Sequence, residues 1–599
     1  MKKFLLLLFL LLPTQGFGAE VPKHFLAIMH YQPKGEGYVS SLDSEDFFLS
    51  GIGGKYDPAA ELKAAVALFN SDDKKKICAF PARFRVLQDA GLVTKPFPEC
   101  EEWDKFYVDL QPAGVTLLFT DAYMSNPSSL FGHTLLRIDT ARKGTQLLAH
   151  GANYGAFTDG YENSVLYVIN GITGGYAGGF TIKPYYDVIN SYNNIENRDI
   201  WEFNLDLSPQ EEWLFTAHLW ELAHYTSRYY FFSRNCSYML LESLDAVRPQ
   251  LKLAAEFSGT VIPLDTVKAV VGRPGLVKGV RYRPSRQGKI RYRYRQMNAA
   301  QRQAYQAALI GDREPMVNLS PVEAATVEET HYQYIQYQFV AGQLDLPTYR
   351  RQSFESLKAR NALKVKDNFK ELSEGKSPLE THGARRFSLG VGTRNGAFFE
   401  EAAFRPAYHS LTDDSYGFLR GAEINFLNTV FRHYDNADKY VLQRLDLVGI
   451  KSIAPADMMF RPVSYAVNAG VERVYRPQDE REGYAFNLKV SGGAAYALSE
   501  EVWAYALTSA AFSYGGFLPH NQWVGIGFAG GILADFGTWR LWGEAEKMLA
   551  TSRFGSRMTY KAEAAYSLDR HNALTLTYEF QHNDGHHLED FVAGIRHYF

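Results

Sequence analysis

The last part of the chain alternates between apolar and polar residues with a period of two. One segment sets Met558, Tyr560, Ala562, Ala564, Tyr566 and Leu568 against Thr559, Lys561, Glu563, Ala565 and Ser567. Turn-rich stretches such as Asn583-Asp584-Gly585 separate the segments. About twelve of them, each roughly ten residues long, follow Arg386, which is typical of an outer-membrane barrel. We predict an antiparallel transmembrane β-barrel of about 12 strands; the alternative is a soluble β-sandwich.

Upstream of Arg386, the hydrophobic spacing is mainly helical, with a few buried strands. Residues 58–69 have the spacing of a helix that Asp57 caps, and Ser208-Pro209-Gln210-Glu211 is a capping box that opens another. The predicted class is therefore α+β followed by a barrel. The predicted divisions are a signal peptide (1–19), a helical N-terminal segment (20–105), an α+β domain (106–280), a basic helical connector (281–385) and the barrel (386–599).

The first residues have the pattern of a secretory signal. Lys2 and Lys3 precede a short apolar run, and small residues near Ala19 suit cleavage. The cleavage site has no cysteine beside it, so we expect that the protein is not itself a lipoprotein. No later run reaches the roughly 18 apolar residues of a membrane-spanning helix. The formal net charge is −3, which predicts no nucleic-acid partner.

Three cysteines are present, namely Cys78, Cys100 and Cys236. In an oxidising compartment, the two that lie near each other in sequence are expected to form a disulfide. Cys236 is then left as a free thiol. It follows a short aromatic strand and a turn, in the first turn of a predicted helix that Ser233 or Asn235 caps. The positive end of a helix favours thiolate over thiol, so Cys236 is the best candidate nucleophile. The alternative is a buried structural cysteine.

A predicted hairpin carries the candidate base. His133 begins one strand, Ala141 to Gly144 form a turn, and the second strand runs from Thr145 through His150 to Asn153 and Tyr154. If Thr140 pairs with Thr145, His133 lies opposite Ala152 and His150 shares its face. A slip of one residue brings Asn153 to that face instead. The sequence leaves both His150 and Asn153 open as the residue that orients His133, and either histidine could instead be an ordinary core or surface residue.

Three other features of the sequence say less about the chemistry of the protein. The glycine-rich stretch 171–179 lacks the Gly-Lys-Ser/Thr of a phosphate loop, and it is either a loop over a site or a surface hairpin. The histidines and cysteines show no zinc spacing, so neither a metal nor a cofactor is predicted. The arginines between 281 and 295 form either a solvated face or a contact with phospholipid phosphates.

Three stretches together resemble the N-terminal periplasmic domain of the Lnb family of lipoprotein N-acyltransferases. They are Phe48–Asp57, Asn126–Thr134 and Ser233–Cys236, and the resemblance covers roughly residues 25 to 280. A histidine on a strand followed by Asn-Cys at a helix start is also similar to the permuted papain-like enzymes, which include lecithin-retinol acyltransferase and cell-wall endopeptidases. The resemblance implies a papain-like thiol acyltransferase domain in which Cys236 is the nucleophile and His133 the general base.

Lnb enzymes continue into a helical membrane domain, whereas this chain continues into a predicted barrel. That difference places the site at the periplasmic face of the outer membrane and leaves the acceptor open. We expect a thiol acyltransferase that takes an acyl chain from phospholipid and passes it to a lipoprotein or another amine. The alternatives are a phospholipase with water as acceptor, a cysteine peptidase or amidase acting on peptidoglycan, and a non-enzymatic barrel.

Overall fold

The computed structural model describes residues 20–124, 129–142, 146–158, 164–367, 369–476, 481–550, 556–583 and 586–599. The predicted signal peptide, part of the 126–134 motif and part of the predicted 141–144 turn lie outside these residues. Strands and α-helices are numbered in chain order below.

The N-terminal region is helical, as predicted. Its elements are α1 (Lys23–Ile28), β1 (Tyr31–Lys34), β2 (Gly37–Ser40), α2 (Pro58–Phe69), α3 (Lys74–Ile77), α4 (Pro81–Asp89) and α5 (Glu101–Leu110). Asp57 caps α2 by accepting from the Ala59 and Ala60 N–H groups. The predicted disulfide between Cys78 and Cys100 is present, and Cys236 is free. The bridge ties the end of α3 to the start of α5.

A seven-stranded antiparallel sheet forms the centre of the next region. Its strands are β3 (Pro112–Thr120), β4 (His133–Thr140), β5 (His150–Ala156), β6 (Tyr176–Pro184), β7 (Ile200–Leu205), β8 (Thr226–Tyr229) and β9 (Val277–Arg283). The spatial order is β8-β6-β5-β4-β3-β7-β9. Its helices are α6 (Ser164–Thr173), α7 (Tyr185–Ile189), α8 (Pro209–Leu222), α9 (Cys236–Val247) and α10 (Pro263–Val271). The glycine-rich stretch joins α6 to β6, so it is neither of the two structures expected for it.

Four helices form the connector: α11 (Arg286–Gln296), α12 (Ala299–Leu309), α13 (Pro321–Val340) and α14 (Leu346–Ala362). Several of its arginines form ion pairs. Arg283 contacts Glu202 at 3.0 Å, and Arg291 contacts Asp457 on a barrel turn at 2.9 Å. Tyr334 also donates to the Met459 carbonyl at 3.0 Å. The connector therefore packs directly on the barrel.

The C-terminal strands form a sheet of fourteen, of which twelve close into the predicted barrel. These are β10 (Arg386–Arg394), β11 (Ala397–Arg405), β13 (Ala422–Tyr434), β14 (Lys439–Ser452), β16 (Ser464–Arg476), β17 (Arg481–Ala497), β18 (Val502–Tyr514), β19 (Gln522–Asp535), β20 (Trp539–Ala550), β21 (Arg557–Ser567), β22 (Asn572–Asn583) and β23 (His586–Tyr598). Two short strands, β12 (Ala407–His409) and β15 (Pro455–Ala456), lie beside them. Closure occurs because β10 pairs with β23 and β11 pairs with both β10 and β13. The α+β class followed by a barrel is thus confirmed.

The two faces of the barrel differ in polarity, as a membrane barrel requires. On β19, most exposed positions are apolar and alternate with buried positions; they include Val524, Ile526 and Phe528. The interior instead holds ion pairs between strands that are not neighbours, such as Lys451 with Glu544 and Lys489 with Glu546, both at 2.9 Å. The apolar outer face suits lipid, so this is a barrel of the outer-membrane kind. The end of the barrel nearer to the α+β region is called its inner end below.

The α+β region packs on the outside of the barrel wall near this inner end. Ile424 and Phe426 on β13 face outward, yet they belong to the same hydrophobic core as the α+β region. Phe232 stacks on Phe426 with 4.0 Å between ring centroids. Lys268 on α10 donates to the carbonyls of Thr381 and His382, each at 3.0 Å. The catalytic candidates therefore lie beside the wall rather than below an open lumen.

Candidate functional site

Cys236 is the first residue of α9, as the sequence predicts. Asn235 is the residue that caps the helix, because its Oδ1 accepts from the Tyr238 N–H at 3.2 Å. Its Nδ2 donates to the Val261 carbonyl at 2.8 Å, which fixes the turn before the helix. Asn235 thus holds the start of α9 in place. The Cys236 thiol is 3% exposed and lies where the free N–H groups of α9 converge.

His133 begins β4 and lies against Cys236. The imidazole and the thiol are close enough that each shifts the pKa of the other. On its other side, His133 Nε2 lies 2.7 Å from Asn153 Oδ1. An amide oxygen only accepts, so Nε2 carries a hydrogen and Nδ1 remains for the thiol. The structure thus brings together Cys236, His133 and Asn153 in one row, in which Cys236 and His133 are buried and Asn153 is partly exposed.

The predicted hairpin register is wrong. Leu136 pairs with Ala152 and Ile138 pairs with His150, whereas the sequence argument placed His133 opposite Ala152. The connection is longer than a tight turn, because a 3₁₀ turn occupies Gln146–Leu148 before β5 begins at His150. The pairing is displaced by an odd number of residues, which exchanges the two faces of β5. Asn153 therefore shares the face of His133, and His150 points to the opposite face.

Burial and charge act in opposite directions on the pKa values of Cys236 and His133. Burial acts to raise the pKa of Cys236, but the adjacent His133 outweighs it and lowers the pKa to about 6. Burial acts to lower the pKa of His133, yet the thiolate and Asn153 raise it above its ordinary value. Both shifts therefore favour a thiolate beside an imidazolium over a neutral thiol beside a neutral imidazole. Burial lowers the pKa of His150, which stays neutral apart from the pair.

The structure adds residues that the sequence argument did not single out. Tyr229, the last residue of β8, has its hydroxyl 3.4 Å from the Cys236 N–H, which donates to it. Burial raises the pKa of Tyr229 well above its ordinary value, so the hydroxyl keeps its proton. Thr134 and Ser237 are linked by their hydroxyls at 2.9 Å beside the sulfur. The only signal for Tyr229 was its place at the end of the aromatic strand before Cys236.

Aromatic side chains surround the pair. The Tyr192 ring lies 5.5 Å from the His133 ring. Phe131, two residues before His133, contacts Phe232 at 5.9 Å and Tyr408 beside the barrel at 5.4 Å. Phe232 in turn stacks on Phe426 of the wall. The thiol is thus separated from the outer surface of the barrel by an aromatic cluster, which suits an apolar substrate better than a charged one.

The Phe48–Asp57 motif is connected through Asp43 to the turn that precedes Cys236. Glu61 accepts from the Leu49 and Ser50 N–H groups at 3.0 and 2.9 Å, so the motif wraps around a buried carboxylate. Asp43 links this motif to the turn before Cys236, because it pairs with both Lys55 and Arg234. This stretch has a structural role in the described structure.

Among the described residues, one buried cluster has the side-chain types of a metal site: His382, His409 and Asp413. The Asp413 carboxylate already accepts from Arg405 and from Tyr598, both at 2.7 Å, and also pairs with Arg386 and Arg596. A metal ion would meet three guanidinium groups there, so this cluster does not suit one. A second group, formed by Glu400, His433 and Asp435, is largely exposed to solvent, and exposed acidic groups of this kind are common without a metal ion.

Comparison with known families agrees with this architecture. Residues 101–273 match the Lnb N-terminal periplasmic domain. Three domains of unknown function match the rest: DUF7843 over 22–90, DUF7842 over 280–372 and DUF7840 over 375–598. No curated protein matches the chain. Within the described residues, we find no helix with the length and apolar character needed to cross a bilayer.

Solved structures similar to this chain include porins. The KdgM porin is 10% identical over 36% of this chain and 99% of its own, with a TM-score of 0.22. The NanC porin is 6% identical over 35% and 98%, with a TM-score of 0.24. An anion-selective porin from Comamonas acidovorans is 9% identical over 36% and 98%, with a TM-score of 0.20.

The sequence motifs, the site geometry and the family match concern the same stretch of chain. Residues 101–273 match the Lnb N-terminal periplasmic domain, and this protein joins them to a closed twelve-strand outer-membrane barrel.

Proposed function

We propose that the protein is a thiol acyltransferase that takes an acyl chain from a phospholipid through a thioester on Cys236. The observation that carries the proposal is the buried Cys236–His133 pair at the start of α9, with Asn153 behind the imidazole. A thiolate held beside an imidazolium and near helix N–H groups is the arrangement that nucleophilic acyl transfer needs.

In the first half-reaction, the Cys236 thiolate attacks the ester carbonyl carbon of the lipid. The Cys236 N–H donates to the Tyr229 hydroxyl in the structure. A substrate carbonyl oxygen that takes the place of this bond accepts from the Cys236 N–H and from the Tyr229 O–H as it becomes an anion. When the C–O bond breaks, the His133 imidazolium gives its proton to the leaving alkoxide. The products are a Cys236 thioester and a lysophospholipid.

In the second half-reaction, an amine attacks the thioester carbonyl. Neutral His133 takes the proton of the amine, the C–S bond breaks, and the thiolate leaves to re-form the ion pair. The product is an amide, as on the N-terminus of a lipoprotein. With water in place of the amine, the same steps release a fatty acid.

The surroundings favour a lipid over a peptidoglycan substrate. The aromatic cluster of Phe131, Phe232, Tyr408 and Phe426 joins the site to the outer wall of the barrel. A cell-wall peptidase needs an open polar groove for a glycopeptide, whereas an acyl chain is solvated best by apolar walls.

The test is mass spectrometry of the full-length protein in phospholipid vesicles. We expect an acyl mass on the peptide that contains Cys236, sensitive to neutral hydroxylamine as thioesters are. The adduct should be absent from Cys236→Ala and present in His150→Ala, since His150 lies on the other face of β5. Labelling of Cys236 only by muropeptide analogues would overturn the proposal in favour of a peptidase. Adding an amine-bearing lipopeptide then separates transfer from hydrolysis by the product released.

A further inference from the structure

Helix α6 presents an apolar face to the outside of the domain. Leu166, Ile169 and Ile172 follow one another at three-residue spacing and are 55%, 49% and 41% exposed. Residues 164–182 contain no charged side chain. Single exposed apolar residues are common, but an uncharged helix with three in one row is a surface that water does not favour.

This helix lies directly on the turn that leads to Cys236. The Phe231 N–H donates to the Gly171 carbonyl at 2.8 Å. The Tyr167 and Phe231 rings lie 5.2 Å apart. A Cβ at Gly171 would lie 2.3 Å from the Phe231 ring, so only glycine permits this approach. The position of α6 is therefore fixed relative to the nucleophile.

The next residue along the turn connects this region to the lipid-facing wall. Phe232 stacks on Phe426 of β13. Three residues further along β13, Thr429 pairs with Phe404 of β11, which is 43% exposed on the outside of the barrel. Three residues of a strand span about 10 Å. The contact between Phe232 and Phe426 therefore lies at the edge of the barrel's apolar outer surface, on the side nearer to the α+β region.

We propose that the exposed face of α6 lies among the acyl chains of the periplasmic leaflet of the outer membrane, and that the lipid acyl chain reaches Cys236 sideways from there. The occupant is lipid because α6 is linked through Phe231 and Phe232 to a wall whose outer face is apolar, and because residues 164–182 carry no charge that a polar partner would pair with. The lipid contact stands on the geometry of α6 alone, whereas the delivery of the acyl chain rests on the proposed function.

The lipid contact is tested with a fluorescent probe. Ile169→Cys, in a Cys236→Ser background with the native disulfide intact, is labelled with an environment-sensitive dye and placed in nanodiscs that contain brominated phospholipid. We expect a blue-shifted emission quenched nearly as strongly as at Phe528→Cys on the barrel belt. The matched control is Val108→Cys, which is apolar and 62% exposed on α5. Emission at residue 169 equal to that at residue 108 would overturn the lipid contact.

A charge placed on the exposed face of α6 tests whether the lipid acyl chain reaches Cys236 past this helix. Ile169→Asp should slow acylation of Cys236 by vesicle phospholipid by about tenfold or more and leave acylation by a monomeric water-soluble thioester unchanged. Val108→Asp should change neither rate. Equal loss with both donors, or no loss with vesicles, would overturn delivery through α6. If wild-type Cys236 accepts no acyl group from any donor, the proposed function fails, and dye quenching still decides the lipid contact.

Discussion

Burial and charge act in opposite directions on the Cys236 thiol, and the charge of one neighbour decides the outcome. A buried thiol without a cation would have a raised pKa and little reactivity. His133 reverses the direction and lowers the pKa of Cys236 to about 6. The reactivity of this sulfur is therefore a property of the pair.

The pH dependence follows from the sign of each shift. Modification of Cys236 by a small thiosulfonate should reach half its maximal rate near pH 6, because the thiolate forms above the lowered pKa. In His133→Gln, burial acts unopposed, so the midpoint should move above the ordinary thiol range. Acylation should rise through the same pH and fall again once His133, whose pKa is raised, loses the proton that the leaving group needs. An unchanged midpoint in His133→Gln would contradict the ion pair.

Asn153 contacts His133, and in the proposed mechanism it acts through His133 as a positioning residue. Asn153→Ala should slow acylation by about tenfold to a hundredfold, because the imidazole loses the bond that fixes its orientation. The alkaline limb of the pH–rate profile should also move to lower pH, since Asn153 helps to raise the pKa of His133. His150→Ala is the control and should behave as wild type. If His150→Ala has the larger effect, the register of β4 and β5 is different from the one described.

At the scale of elements, one buried arginine joins the N-terminal helices to the α+β domain. Arg83 on α4 contacts Glu221 on α8 through its N–H at 2.9 Å and its Nε at 3.0 Å. Its guanidinium lies 3.9 Å from the Phe47 ring and 4.0 Å from the Phe80 ring. Arg83 and Glu221 are both 0% exposed, so neither charge has water as an alternative partner.

Arg83→Met should destabilise this region by about 3–5 kcal/mol, because the buried Glu221 and Glu61 then lose their shared cation. Arg83→Met with Glu221→Leu should recover part of the loss, since Glu61 still lacks the arginine. Denaturant unfolding, followed by the fluorescence of the tryptophans near α5 and α8, measures both. Arg85→Met on the same helix removes an exposed pair with Asp89 and should cost under about 0.5 kcal/mol. Equal costs at residues 83 and 85 would contradict this account.

At the scale of the molecule, we expect the barrel to support the periplasmic domain rather than to provide an open channel. Side chains cross the lumen between strands that are not neighbours, as in Arg432 with Asp590 at 2.6 Å. At the inner end, the connection between β11 and β13 folds into the barrel, and Asp413 is held there by Arg405 at 2.7 Å. Both features narrow the path that ions would take.

We therefore expect that the wild-type protein adds no steady current to a planar lipid bilayer in which an open porin gives clear steps. Replacing residues 411–415 by glycine should produce intermittent steps, because the inner obstruction is loosened while the crossing ion pairs remain. The control variant Leu389→Ala, on the outer face of β10, should add no current, as expected for the wild type. Stable large steps from the wild type would show that the lumen is open.

Much of this molecule follows from local sequence patterns. The period-two alternation after Arg386 predicts the barrel, because a strand with lipid on one side and polar contacts on the other must alternate. The capped helices and the Cys78–Cys100 disulfide are local in the same sense, and the Asn-Cys pair before an apolar run places the thiol at a helix start. These features depend on neighbours in the chain.

The tertiary structure decided what depends on distant parts of the chain. Whether His150 or Asn153 orients His133 depended on the length of the connection after β4, where an odd displacement exchanges the faces of β5. Tyr229 and the Phe232–Phe426 contact join residues whose approach no periodicity encodes. The sequence by itself determined the elements and the place of the Cys236 thiol at a helix start, because these follow from local spacing. Only the folded packing decided which residue lies against His133 and which part of the barrel wall lies beside the site, because both are set by how separate elements lie against one another.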